Sequence, residues 1–197
     1  MKIYFHLCID EFSNSYLVVN DDPLVMEAIV IDPGKVSSQL VEQIESGGYK
    51  LSAVLITRNN EAVLGGLSTL MKIYSPQIYA ADCEIESQRT VLIRGDGKLR
   101  IAGLDVDYFS IMGHSTDSMC FKIGNVLFTG DSLTAGVVGE TSGTYFKRML
   151  CSNIEKKIFS QNDELVVMPG HGPPTTVATE RYYNIDITEN KKYVNRG

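Results

Sequence analysis

Two histidines and one aspartate are the residues of this chain whose placement best suits chemistry. The chain has only three histidines, and two of them, His114 and His171, lie in glycine-containing turns next to predicted strands. Asp131 follows a glycine at the end of another predicted strand. Turns of this kind can aim a side chain into a cleft. Imidazole and carboxylate groups bind zinc and also serve as general acids and bases.

Hydrophobic patterning indicates the elements that must position these residues. Alternating or apolar runs predict strands at 1–9, 15–19, 28–31, 51–57, 77–80, 99–101, 106–110, 119–123, 125–129 and 164–168. Helical spacing predicts helices at 36–46, 65–74 and 146–159, with a loop over 58–64. The order gives two similar halves, each a strand meander followed by a helical segment. The sequence therefore predicts an α/β fold, a four-layer αββα sandwich, as a single domain over 1–197 whose tail after about residue 190 frays.

Five segments, taken in order, resemble loops of the metallo-β-lactamase superfamily, and the likeness covers most of the chain. They match the opening strand, the Asp-x-Gly turn, the Gly-His-[ST]-x-Gly-Ser loop, the bridging-aspartate loop and the last histidine loop at 13–18, 30–34, 113–118, 128–131 and 169–173. Within the superfamily, these segments most resemble the small glyoxalase-II-like branch, which contains thioester and related hydrolases. The resemblance implies metal ligands at His114, Asp131 and His171, with Asp131 bridging two metal ions. Substrate class does not follow from the fold.

The segment that matches the superfamily's main metal motif departs from it. Superfamily members have Thr-His-x-His-x-Asp-His-x-Gly-Gly here, and Thr57 with Gly65 and Gly66 fixes the register in this chain. The four motif ligands are replaced by residues that cannot hold zinc: Arg58, Asn60, Ala62 and Val63. The sequence thus predicts a degenerate metal site, with no cofactor and with ordinary metal-dependent hydrolysis crippled.

Arg58 suggests how the chain could replace the charge of a metal. A buried Asp131 without metal would be an unpaired carboxylate, and a guanidinium at position 58 could bind both of its oxygens. The alternative is that Arg58 points to solvent while Asp131 is hydrogen-bonded or protonated. Asn60, Glu61 and Ser115 are predicted to line the same cleft as binding residues. Glu61 could act as an off-register ligand or base, or could be a solvated loop residue.

Three functions remain open from the sequence. The first is a pseudoenzyme that retains its cleft for a small-molecule ligand or a protein partner. The second is a hydrolase of thioesters or phosphoesters that uses one zinc or iron ion on His114, Asp131 and His171. The third is a structural role as the inactive partner of an active homologue, contributing loops or an interface. The absence of a G-x-S-x-G elbow disfavours a serine hydrolase.

Composition and charge narrow the partners and the location. A formal net charge of −6 with no basic run argues against nucleic acid. The apolar segments are too short for a signal peptide or a membrane helix, so we expect a cytoplasmic protein without membrane contact. The four cysteines show no CxxC pair and are expected to be reduced and mostly buried.

Overall fold

The computed structural model describes the backbone of residues 1–194 and the side chains of residues 1–190. In the tail after about residue 190, which the sequence predicts to fray, the backbone continues the last helix as far as Val194, and residues 195–197 lie outside the described part. The first half forms β1 (Lys2–Cys8), β2 (Ser13–Asn20), β3 (Glu27–Ile31), α1 (Ser38–Ser46), β4 (Lys50–Leu55), α2 (Glu61–Leu64), α3 (Leu67–Ile73), β5 (Gln77–Ala80), β6 (Glu84–Ile85), β7 (Gln88–Arg89) and β8 (Val91–Leu92). The second half forms β9 (Asp96–Ile101), β10 (Leu104–Ser110), β11 (Met119–Ile123), β12 (Val126–Gly130), β13 (Leu133–Thr134), β14 (Val137–Val138), α4 (Thr144–Lys157), β15 (Val166–Pro169), β16 (Thr175–Thr176), α5 (Val177–Tyr183) and α6 (Ile185–Val194).

Two six-stranded sheets carry the fold. The first has the order β1-β2-β3-β4-β5-β8 and the second the order β16-β15-β12-β11-β10-β9. The meander strands at the start of each half pair antiparallel, whereas β3, β4, β5 and β8 run parallel, as do β12 and β15. Each half therefore changes from a meander to helix-connected parallel strands, as the sequence predicts.

Side-chain alternation along β2 shows how the layers are built. Tyr16 and Val18 point into the core between the sheets, where they join Phe121 and Phe128 of the second sheet. Leu17, one residue away, packs in the outer cluster formed with α1 and α3. A third cluster places α4, α5 and α6 on the outer face of the second sheet. The four layers confirm the predicted αββα sandwich.

The segment 58–64 is not entirely a loop, contrary to the prediction. Glu61–Leu64 forms one helical turn, because the Asn60 side chain accepts a hydrogen bond from the Ala62 N–H and caps it. Gly66 follows, at a point where an added Cβ would lie 2.6 Å from the Gly34 carbonyl oxygen. The two glycines after α2 thus let the chain pass directly against the turn after β3.

Helices α5 and α6 are not predicted from the sequence. The first, with the sequence VATERYY, is rich in β-branched and aromatic residues, which are mediocre helix formers. It forms around buried Glu180, whose carboxylate accepts hydrogen bonds from Gly136 N–H, Thr175 Oγ1 and Asn184 Nδ2. Tertiary contacts therefore outweigh local propensity here. In the part of the chain that is described, no helix combines the length and apolarity needed to span a membrane.

Candidate functional site

The three residues singled out by the sequence lie at one end of the second sheet. Asp131 follows β12 and His171 follows β15, and these strands are parallel neighbours. Their carboxyl ends therefore meet, and Gly170 N–H donates to the Gly130 carbonyl at 2.8 Å. The first sheet contributes Arg58, which comes shortly after β4.

Each carboxylate oxygen of Asp131 accepts a hydrogen bond from one basic side chain. His171 Nδ1–H donates to Oδ1 at 2.6 Å, and Arg58 Nη2 donates to Oδ2 at 2.5 Å. The Asp131 side chain is 12% exposed and that of Arg58 21% exposed. The predicted contact between Arg58 and Asp131 is present, but the predicted two-oxygen fork is wrong, because His171 takes the other oxygen. Arg58 Nε is buried without a hydrogen-bond partner among the described residues.

The charges at this cluster shift the pKa values of both titrating groups. Burial by itself would raise the pKa of Asp131, but the hydrogen bond and charge of His171 and the charge of Arg58 together lower it. The hydrogen bond to Asp131 raises the pKa of His171, against burial and the charge of Arg58. The cluster thus favours an ionised Asp131 beside a histidine that holds its proton more tightly than usual.

A second buried carboxylate, Asp32, holds Thr57, the residue before Arg58, in place. Asp32 accepts hydrogen bonds from Thr57 N–H at 2.8 Å and from Thr57 Oγ1 at 2.6 Å, and burial raises its pKa to about 7. Gly130 has φ +51°, and a Cβ added there would lie 2.4 Å from Thr57 Oγ1. Only glycine therefore lets the strand before Asp131 pass so close to the residue before Arg58.

The His171 loop is fastened to the first sheet by two residues that sequence reasoning did not assign to the site. Asn14 Nδ2 donates to the Pro169 carbonyl at 2.9 Å and to the Gly172 carbonyl at 2.8 Å. Tyr16 donates through its hydroxyl to the Pro169 carbonyl at 2.7 Å. An asparagine and a tyrosine within an otherwise apolar strand are the signal that could have drawn attention to them.

His114 is held in one tautomer and makes no hydrogen bond with the other two residues among those described, although its charge helps to lower the pKa of Asp131. Its Nδ1–H donates to the Glu140 carbonyl at 2.6 Å, so Nε2 carries the lone pair in the neutral ring. That Nε2 atom is buried and lacks a partner among the residues described. A backbone hydrogen bond at one ring nitrogen with the other left free is also the arrangement found in metal-bound histidines.

The remaining predicted cleft residues have local roles. Asn60 caps α2, Glu61 is exposed on the first turn of that helix, and Ser115 shares a 2.5 Å hydrogen bond with Ser118. Of the four predicted cleft residues, only Arg58 contacts Asp131 within the described part of the chain. The binding roles of Asn60, Glu61 and Ser115 stay predictions. At the two other substituted positions, Ala62 and Val63, the backbone carbonyls accept hydrogen bonds.

The described residues do not fit a metal ion in this arrangement. Both oxygens of Asp131 face basic groups of the protein, and His171 turns its Nδ1 towards that carboxylate. Among residues 1–190, no three histidine, cysteine, aspartate or glutamate side chains are grouped so as to hold a metal. Catalytic zinc normally takes three protein ligands and a water. A metal at Asp131 would require Arg58 to move away.

Sequence comparison finds relatives that include a probable metallo-hydrolase and a hydroxyacylglutathione hydrolase. No protein-family model matches the chain. An uncharacterized protein of Treponema pallidum is 31% identical over 182 residues, covering 92% of this chain and 97% of that protein. The probable metallo-hydrolase YqgX of Bacillus subtilis is 25% identical, with 87% and 90% covered. The hydroxyacylglutathione hydrolase of Chromohalobacter salexigens is also 25% identical, and the match covers 83% of this chain but only 64% of that enzyme.

Solved structures share the whole architecture. The BLEG-1 B3 metallo-beta-lactamase superposes with a TM-score of 0.81 at 23% identity, over 95% of this chain and 100% of that one. ETHE1 from Myxococcus xanthus gives 0.83 at 20% identity, over 99% and 89%. At such identities the likeness defines the fold class alone, an αββα sandwich. With the sequence relatives, it shows that this chain belongs to the metallo-β-lactamase superfamily.

Proposed function

We propose that this chain is a superfamily member without dinuclear-metal hydrolysis, and that its cleft binds a small-molecule ligand or a protein partner. The observation that carries the proposal is the pair of basic groups on Asp131, Arg58 Nη2 at one oxygen and His171 Nδ1 at the other. In this role Arg58 replaces the metal as the positive charge that an almost buried carboxylate requires.

The substitutions around Arg58 support the same proposal. The turn that carries Arg58 is anchored on its outer side, where Asn59 N–H donates to Asp117 Oδ2 at 2.7 Å. Ala62 has no group that could orient a water molecule, and the side chain of Val63 is buried. Hydrogen bonding and packing by the protein's own groups thus hold this segment in place, which supports the proposal.

A mononuclear hydrolase acting on thioesters or phosphoesters is the second candidate. The observation in its favour is the buried, unpartnered Nε2 of His114, since an acceptor nitrogen without a donor is costly to bury. One zinc or iron ion on His114, Asp131 and His171 would satisfy it. This candidate requires the Arg58 side chain to leave Asp131 when metal binds.

Elemental analysis of the untagged protein separates the two candidates. After exposure to zinc, iron and manganese followed by dialysis, the proposal predicts less than about 0.1 equivalent of metal per chain. The positive control is the double variant Arg58→His with Asn60→His, which restores two motif ligands without altering a buried apolar residue. It is expected to retain about one equivalent.

The opposite result favours the second candidate. If the wild-type protein retains about one equivalent, and His171→Ala loses it, a mononuclear site exists and Arg58 is a movable group rather than a replacement. Esterase and thioesterase activity that a chelator abolishes would then be expected. A wild-type protein without metal but with chelator-insensitive hydrolysis would contradict both candidates.

A cytoplasmic location is part of the proposal. All four cysteines are free thiols, and Cys8, Cys120 and Cys151 are buried while Cys83 is exposed. Free thiols without disulfides are typical of proteins from a reducing compartment. Fractionation of cells that express the native gene tests this, and recovery outside the cytoplasm would contradict it.

A further inference from the structure

An apolar strip formed by β1 and the turn that follows it lies open to solvent beside the His171 loop. We define the β1 strip as four side chains that are 48%, 51%, 72% and 70% exposed, respectively: Phe5, Leu7, Ile9 and Phe12. Three of them, with Pro173 and Pro174, line a shallow cavity of about 440 Å³. Isolated exposed apolar residues are ordinary, but four that lie so close in the chain call for an explanation.

The topology explains why the strip is uncovered. β1 is an edge strand whose neighbour is β2, and Ile3, two residues before Phe5, packs on the core between the sheets. The side of β1 that carries Phe5 and Leu7 therefore faces inward, towards the second sheet. The edge of the second sheet on this side is β16, which has only two residues. The seven-residue strand β1 therefore extends beyond the part of the second sheet that covers it.

Among the four edges of the two six-stranded sheets, β1 alone lacks protection within the described part of the chain. Two edges, β8 and β16, are only two residues long, and short edges resist unwanted pairing. The third edge, β9, carries the exposed charged residues Lys98 and Arg100. By contrast, β1 is seven residues long and has no charged residue between Ile3 and Ile9. Its outward backbone groups are therefore available for pairing with another strand.

We propose that β1 pairs with β1 of a second copy of this chain, antiparallel across a two-fold axis. In a two-fold antiparallel pair of identical strands, both copies use the same surface for the contact. Alternate residues of the two strands, such as Phe5 and Leu7 of each copy, then lie on the same face of the joined sheet. The two β1 strips would thus meet side by side on the inner face of a continuous twelve-stranded sheet. Because the strip has no charge, no like charges face each other.

The exposed area agrees with this partner. If a large apolar side chain covers about 150–250 Å², the strip exposes roughly 360–600 Å² per copy. A stable interface buries about 800 Å² per partner. The edge backbone and the exposed Pro173 and Pro174 beside the strip would add to the buried area. The proposed interface also adjoins the His171 loop, since Gly172 lines the same cavity.

Light scattering coupled to gel filtration tests the proposal on the full chain. The wild-type protein is expected to have twice the chain mass of 21.8 kDa at about 100 µM. Leu7→Lys places a charge in the middle of the strip and is expected to give a monomer. The matched control is Ile73→Lys on α3, which alters a side chain of similar exposure, 50% against 51%, and should leave the dimer intact.

Two results would overturn the proposal. A wild-type protein that is monomeric even at about 1 mM excludes the second copy and leaves β1 for a different protein. A dimer that survives both Leu7→Lys and Phe5→Lys, each shown by circular dichroism to be folded, places the interface elsewhere. Hydrogen exchange adds a direct readout, because amides of residues 2–8 should be more protected in the dimer than in the folded Leu7→Lys monomer.

Discussion

Replacing Arg58 by methionine removes the guanidinium at Asp131 Oδ2 while keeping a long apolar side chain in its place. Asp131 would then keep His171 as its one basic hydrogen-bond partner among the described residues. Breaking a fully buried ion pair costs about 3–5 kcal/mol. Arg58 and Asp131 are 21% and 12% exposed and His171 remains, so we expect a loss of about 1–3 kcal/mol in the free energy of unfolding.

The same substitution has an electrostatic signature that a packing defect would not produce. The charge of Arg58 lowers the pKa of both Asp131 and His171, so the pKa of His171 should rise in Arg58→Met. Because the chain has three histidines, NMR titration can follow each ring separately. Arg58→Lys, which keeps the charge, serves as the control and should leave the pKa of His171 nearer its wild-type value.

The outcome that refutes this reasoning is specific. If Arg58→Met leaves the pKa of His171 unchanged or lowers it, Arg58 does not act on the Asp131–His171 pair in solution. Urea unfolding should be measured at about pH 6, roughly two units above the ordinary aspartate pKa of about 3.9, where Asp131 is ionised in both folded and unfolded chains. An unchanged midpoint there would show that the ion pair contributes nothing to stability.

Three further substitutions test the supporting groups. Asp131→Asn should lower the pKa of His171, which an NMR titration measures. In the wild-type protein the raised pKa of His171 stabilises the fold below pH 6.5, and this stabilisation is lost as the pH rises through the pKa of His171 in the folded protein. The variant should lack this stabilisation, which urea unfolding at several pH values measures. The pKa of Asp32 is about 7 in the folded protein, against an ordinary value of 3.8. The free energy of unfolding of the wild-type protein should therefore fall by up to about 4 kcal/mol as the pH rises from 4 to 7. Asp32→Asn should weaken this pH dependence, which urea unfolding measures. Asn14→Ala removes two hydrogen bonds from the His171 loop and should cost about 2–3 kcal/mol, with faster hydrogen exchange over residues 170–173.

The sequence predicts the layered fold because the fold depends on local pattern. The apolar runs at β2 and β4 indicate strands, with both faces of β4 expected to be buried, and the structure places both strands inside the first sheet. The short turn α2 escapes prediction because it depends on a single cap from Asn60 rather than on hydrophobic spacing. Helix α5 escapes because buried Glu180, and not helix propensity, holds it.

The same distinction applies to the site. The contact between Arg58 and Asp131 could be predicted because a buried carboxylate needs a positive charge. Its geometry could not, because the second oxygen goes to His171, and which ring nitrogen it uses depends on the loop after β15. The hydrogen bonds from Asn14 to that loop join residues more than 150 positions apart in the chain. Periodicity does not reveal contacts of this kind.

The most direct test of the metal-replacement hypothesis is a crystal structure of the wild-type protein grown with excess zinc, with diffraction recorded at the zinc absorption edge. We expect no anomalous peak at Asp131, with Arg58 Nη2 and His171 Nδ1 still within hydrogen-bond distance of its two oxygens. An anomalous peak bound to Asp131 and His171, with the Arg58 side chain turned away, would contradict it.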